Sequence, residues 1–221
     1  MTRTSPSPAQ LECIDAIHRL GAGARAVTLT ALARRLRVTG ADAGQQVFAL
    51  QAGGLVVADA TSGVRLTAEG ERIARRLLRR HRVLERFLTD VLDLPWDRVH
   101  DEACRLAPVV SDDVTEGLAR LAGHPATCPH GHPIPAADGT LAPDASVPLH
   151  RLGAGRSAIV TRVEREDPDL LRYLATLGLL PDTKVEVDEV GALGGPIVVR
   201  VGSARYALGR KVAAQIRVRP V

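Results

Sequence analysis

The order in which hydrophobic periodicity changes over residues 1–70 restricts this chain more than any other feature. Leu11, Ile14, Ile17 and Leu20 recur at helical spacing, and GAGAR at 21–25 breaks that segment. Thr30 is placed to cap a short helix, ALARRLRV, and Thr39-Gly40-Ala41-Asp42 turns into a second, AGQQVFALQAGG, which Gly53-Gly54 closes. Two strand-like pieces, LVVADA and GVRLT, flank Thr61-Ser62-Gly63 as a hairpin would. Helix, turn, helix and hairpin in that order predict a winged helix-turn-helix. Its second helix would enter the major groove of double-stranded DNA, with Thr39, Gln45 and Gln46 near base edges and Arg65 on the wing. The same pattern also suits a small helical domain with an incidental hairpin, and Asp42 sits awkwardly for a helix that approaches phosphate.

Composition narrows the alternatives. The chain has 221 residues and is 45% apolar, enough for two or three small cores. It has no run long and apolar enough for a membrane span and no hydrophobic signal core at its N-terminus, so a soluble cytoplasmic protein without a membrane partner is expected. Three cysteines, Cys13, Cys104 and Cys128, argue against a disulfide scaffold and for reduced thiols or metal ligands. A net charge of +4 permits nucleic-acid binding, while 2% aromatics makes base stacking on a ring platform a poor mechanism.

Beyond residue 67 the chain offers metal-type donors. A long helix is predicted from Thr67 to about Leu92, bearing Arg72, Arg75, Arg76, Arg79, Arg80 and Arg82 on what reads as a solvated face. Within it, His81 and Glu85 are spaced i,i+4; a second such pair, His100 and Cys104, lies on a helix predicted from Trp96 to Leu106 and ended by Pro108. Each pair places both side chains on one helix face, and nitrogen, carboxylate and thiolate donors together favour a transition metal over calcium or magnesium. Ser111 caps a further helix, DDVTEGLARLAG. Residues 136–147 read as a Gly/Pro/Asp/Ala linker, and valine-rich alternation with one helix, DPDLLRYLATLG, and a Gly194-Gly195-Pro196 turn follows.

The segment RRHRVLERFLTDVLDLPWDRVHDEACRLAPVVSDDV, followed by CPHGHPIP, resembles the metal-dependent repressors of the diphtheria toxin repressor family, with its iron- and manganese-sensing branches. The tail from PLHRLGAGRS onward resembles the SH3-like small β-barrel of ferrous-iron transport accessory proteins. The resemblance implies an α+β protein: a winged-helix DNA-binding domain at 1–70, a helical metal-binding and dimerisation domain at 71–135, a linker at 136–147 and an SH3-like domain at 148–221. It further places His81, Glu85 and His100 at an ancillary metal site, completed from the tail by Glu164 and Asp167, with Glu166 as the alternative. The family's primary site falls on Glu12, Cys104 and, as in manganese-type members, Asp15; its next two ligand positions are Ala107 and Pro108, which cannot bind metal. CPHG resembles a structural turn of the family rather than a metal knuckle.

These readings lead to a non-enzymatic, homodimeric regulator that binds operator DNA with manganese or iron as co-repressor. Asp15 and the His/Glu donors lean towards manganese, and control is expected to run through the His81/Glu85/His100 site. The alternative is a regulator of the same fold whose metal control has given way to thiol oxidation or another ligand. A mononuclear metallohydrolase would need an open coordination position and a general base for which no motif is evident.

Overall fold

A computed structural model describes residues 6–21, 25–59 and 63–221. The residues 22–24 of the expected helix break, and Thr61 and Ser62 of the expected turn, lie outside these. The described chain divides into two compact units. One comprises residues 1–81, 104–115 and 135–140; the other comprises 82–103, 116–134 and 141–221. The segment 71–135, read from sequence as a domain of its own, is thus shared between them.

The first unit opens with α1 (Pro8–Gly21), which buries Cys13, Ile14 and Ile17. Helix α2 (Leu29–Leu36) is capped by Thr28 and not by Thr30: the Thr28 hydroxyl accepts from the Ala31 N–H at 3.2 Å. Arg37, in the left-handed conformation at φ 57°, ends it. Helix α3 (Gly40–Ala52) starts with a capping box, in which Thr39 Oγ1 accepts from the Asp42 N–H and the Asp42 carboxylate accepts from the Thr39 N–H. Asp42 therefore has a local structural role at the helix N-terminus, where negative charge is favoured. Ala43, Val47 and Leu50 turn inward, leaving Ala41, Gln45, Phe48 and Ala52 as the opposite, solvent-facing stripe. Strands β1 (Val56–Asp59) and β2 (Gly63–Leu66) pair antiparallel with Val57 opposite Arg65, and Val27 bridges to Val64. The core joins Ile14, Leu32, Leu50, Val56 and Leu77. Helix α4 (Ala68–Asp90) begins at Thr67, whose hydroxyl accepts from the Gly70 N–H and donates to the Gly54 carbonyl. A side chain at Gly70 would meet the Leu55 carbonyl oxygen at 2.1 Å, so only glycine lets this helix approach the wing.

Helix α4 continues to Asp90, and α5 (Val99–Leu106) starts three residues later than the sequence suggests. Helix α6 (Asp112–Leu121) is capped by Ser111, whose hydroxyl accepts from the Val114 N–H at 3.2 Å. The tail folds into one antiparallel sheet of β3 (Val147–Pro148), β4 (Ser157–Val163), β5 (Lys184–Val190), β6 (Ile197–Val201), β7 (Ala204–Leu208) and β8 (Ile216–Pro220). Its spatial order is β3-β8-β4-β5-β6-β7, so β3 and β7 are edges and the expected small barrel is not closed. Helix α7 (Pro168–Thr176) follows β4, and the short α8 (Arg210–Ala213) precedes β8. Alternate residues of the strands fill the core, among them Val160, Val187, Val199 and Val218. No helix among the described residues is long and apolar enough to cross a membrane.

Candidate metal centre

Three elements of the second unit meet at a buried polar cluster. Glu85 comes from α4 and is fully buried; His100 comes from the first turn of α5; Glu166 comes from the loop between β4 and α7. His100 Nδ1 lies 3.1 Å from Glu85 Oε1 and 2.6 Å from Glu166 Oε2, and ligand atoms of all three residues lie within 4.8 Å of one another. The tail contributes Glu166 and neither of the two acids first expected. Asp167 instead caps α7, its carboxylate accepting from the Leu170 N–H at 3.0 Å, and Glu164 is exposed beside Arg162 and Arg217. Three acids within four residues, Glu164, Glu166 and Asp167, are hard to rank from sequence, since a one-residue shift redirects each side chain.

The CPHGH segment, expected from the resemblance to be a structural turn, also reaches this cluster. Cys128 and His130 are fully buried in the same cluster; Glu85, Cys128, His130 and Glu166 form a second donor set within 4.8 Å. The loop is held by its backbone. The Cys128 N–H donates to the His132 carbonyl at 2.9 Å and the Val163 N–H to the His130 carbonyl at 3.0 Å. At Gly131, φ is 87° and an added Cβ would fall 1.9 Å from the Thr161 carbonyl oxygen, so glycine is required. Arg86 donates to the carbonyls of Thr127 and Cys128, both at 2.9 Å, and Arg82 to that of Pro133. Part of the arginine face of α4 therefore fastens this loop instead of standing in solvent; charge-assisted bonds of this kind contribute about 1.5–3 kcal/mol each. The signal was present in the sequence: a cysteine and two histidines within five residues.

Electrostatics show how tightly the groups are coupled. Burial alone would raise the Glu166 carboxyl, but the His100 hydrogen bond and the neighbouring imidazoles outweigh it and bring its pKa down to about 2. Burial disfavours a charged His130 ring, yet Glu85 and Glu166 overcome this and raise its pKa. His132 is lowered, chiefly by burial. Burial and the two carboxylates push the Cys128 thiol well up. The His130 Nε2 lies 2.7 Å from the Trp96 carbonyl oxygen, which fixes the proton on Nε2 and turns Nδ1 towards the carboxylates. Imidazole, carboxylate and thiol converging in this way fit a divalent transition ion.

The first unit holds a different arrangement. His81, 4% exposed on the α4 turn before Glu85, lines a cavity of about 270 Å³ with Glu12, Asp15, Cys104, Ala107 and Pro108. His81 and Cys104 present ligand atoms within 4.8 Å of each other. Asp15 is engaged by Arg19 at 2.8 Å, and Glu12 and Cys104 are exposed. Ala107 and Pro108 face this space without a donor.

Of the residues expected at DNA, Gln45 and Arg65 are exposed and Gln46 is half-buried. The Thr39 hydroxyl donates to Asp42 at 2.6 Å and is committed to the cap. Sequence reasoning passed over Phe48, which is 76% exposed on the stripe that carries Gln45.

Residues 67–136 match the family model described as iron dependent repressor, metal binding and dimerisation domain, and residues 147–220 match the FeoA domain. Over 202 residues the chain is 34% identical to the iron-dependent repressor IdeR of Mycobacterium leprae, spanning 86% of this chain and 87% of that protein. The diphtheria toxin repressor of Corynebacterium diphtheriae is 38% identical over 123 residues, 55% of this chain and 54% of that one. Among solved structures, a manganese-dependent transcriptional repressor in complex with manganese matches with a TM-score of 0.85 at 33% identity, covering 96% of this chain and 100% of that one. T. acidophilum IdeR matches at 0.75 and 26% identity, covering 99% and 100%. These relatives are repressors and not enzymes, which removes the metallohydrolase reading. The chain belongs to the iron-dependent repressor family, the family of the diphtheria toxin repressors.

Proposed function

We propose that this protein is a homodimeric, DNA-binding transcriptional repressor whose operator affinity is raised by manganese or ferrous iron. The convergence of Glu85, His100 and Glu166 from three separate elements supports this most directly. An ion bound there would tie α4, α5 and the β4–α7 loop together and favour one arrangement of the second unit; a ligand shifts an equilibrium only by its preference for one state over the other. The functional modules are those read from the sequence, 1–70, 71–135 and 148–221, supported by the matched ranges 67–136 and 147–220. Dimerisation is supported by Val114 and Leu121, which α6 exposes at 51% and 72% on one face.

At DNA, Gln45 and Phe48 would face base edges, Phe48 through apolar contact with thymine methyl groups, while Arg65 would meet phosphate and Gln46 would serve only at the margin. The test is an anisotropy titration of an operator selected from random DNA, with and without manganese(II), using the parent protein and His100→Ala. Metal should tighten binding by the parent and fail to do so for the variant. Equal metal response in the two would remove this cluster from control, and no sequence preference in either would remove the DNA reading.

A further inference from the structure

The donors of the buried cluster in the second unit fall into two sets. Glu85, His100 and Glu166 form one; Glu85, Cys128, His130 and Glu166 form the other. Both carboxylates are common to the two. Glu166 turns its oxygens in different directions: Oε2 lies 2.6 Å from His100 Nδ1, while Oε1 lies 3.6 Å from both His130 Nδ1 and His132 Nε2. Glu85 Oε1 stands between the same rings, 3.1 Å from His100 Nδ1 and 3.6 Å from His130 Nδ1.

On the His130 side these distances are too long for hydrogen bonds. With one proton held on Nε2 by the Trp96 carbonyl, His130 turns Nδ1 towards two carboxylate oxygens, an arrangement that suits a cation held between them in place of the Nδ1 proton. Beside it, His132 Nε2 is buried without a hydrogen-bond partner.

We propose that this is a two-ion centre, with Glu85 and Glu166 bridging one divalent ion held by His100 and a second held by Cys128 and His130, with His132 adjoining. The first position offers nitrogen and oxygen and suits manganese; the second adds sulfur and suits ferrous iron, cobalt or zinc. Binding at the second position displaces the Cys128 thiol proton to solvent and involves no change of oxidation state.

This inference rests on the metal reading above but is tested apart from DNA binding. In full-length protein carrying Cys104→Ala, cobalt(II) should develop a thiolate-to-metal charge-transfer band that belongs to the second position. Adding His130→Gln should abolish the band and lower the bound cobalt by one ion per chain while His100 continues to hold the other. Undiminished cobalt in that variant would overturn the proposal. Because a buried substitution can also unfold the chain, the unaltered protein provides an independent measurement. Loaded with one manganese(II) per chain and then titrated with cobalt(II), it should show the six-line manganese electron paramagnetic resonance signal lost to coupling with the second ion, whereas an unchanged six-line signal at cobalt saturation would overturn the two-ion centre and leave single-ion control standing.

Discussion

The cluster around Glu85 and the cavity around Cys104 draw on the same two pairs of metal-type donors spaced i,i+4, His81 with Glu85 and His100 with Cys104, each taking one member of each pair, and end as different objects. Around Glu85 the donors are buried, and their orientations are fixed from behind: the Trp96 carbonyl holds His130, while Arg82 and Arg86 hold the loop that carries it. Around Cys104, Glu12 and the thiol are exposed, Asp15 is drawn off by Arg19, and Ala107 and Pro108 occupy two places without a ligand atom. Donor spacing nominates a site. Burial and outer hydrogen bonds decide whether its members can act together.

Substitutions that separate the two regions should differ most in metal affinity. Glu85→Gln should lower it by more than the roughly 10–100-fold that loss of an outer partner typically costs, and Arg86→Ala should fall inside that range, both read by calorimetry with manganese(II). If Glu85→Gln were silent and Cys104→Ala severe, the ranking of the regions would reverse.

Proton linkage gives the next effect. His130 is raised above its ordinary 6.5, so in the metal-free protein its proton stabilises the fold fully below 6.5 and that contribution is lost as pH rises through the raised value. Glu166 behaves oppositely, stabilising above 4.5 and losing this as pH falls towards about 2. An ion must displace the His130 proton, so affinity should increase with pH across this interval, with measurable proton release. Affinity independent of pH from 6 to 8 would exclude His130 from the coordination.

Thiol chemistry separates the regions more gently. Cys104 is exposed, whereas Cys13 is buried with its pKa pushed up to about 11 and Cys128 is buried with its thiol pushed well above the ordinary value. Since the thiolate is the reactive form, one thiol per native chain should react rapidly with a disulfide reagent at neutral pH, and peptide mapping should find it at Cys104. The smallest change should come from Asp167→Ala. Loss of the α7 cap should cost about 1 kcal/mol of stability and leave metal affinity alone, with Glu164→Gln silent in both; a metal defect in either would return those acids to the centre.

The winged-helix half of the fold was legible because its signals are local: apolar spacing on α1 and α3, a capping threonine, two short strands around a turn. Even there, the choice between Thr28 and Thr30 as cap is between two like residues two positions apart, which spacing alone leaves open. The cluster was legible only in part, for His100 and Glu85 are apart in sequence yet belong to strong helical patterns, while Glu166 sits in a loop whose direction is set by packing of β4. Cys128 and His130 were visible as residue types, but their meaning came from Gly131, whose close approach to Thr161 draws the loop against the sheet. That is a tertiary fact with no periodicity to announce it. The resemblance to known repressors placed the tail ligands at Glu164 and Asp167 with Glu166 as the alternative, and it is the alternative that turns inward.

The open ends of the C-terminal sheet have a consequence for how this protein behaves at high concentration. An unpaired strand offers its backbone to any neighbouring chain, and a sheet that does not close has two such rims. Here β3 is only two residues long and one of them is Pro148, which has no N–H to give. At the other rim, β7 exposes Arg205, paired with Asp188 at 2.8 Å, so a second copy sliding alongside would have to bury a charge or break that pair. Both rims are blunted against edge-to-edge growth, and the sheet can stay open without becoming a template for aggregation.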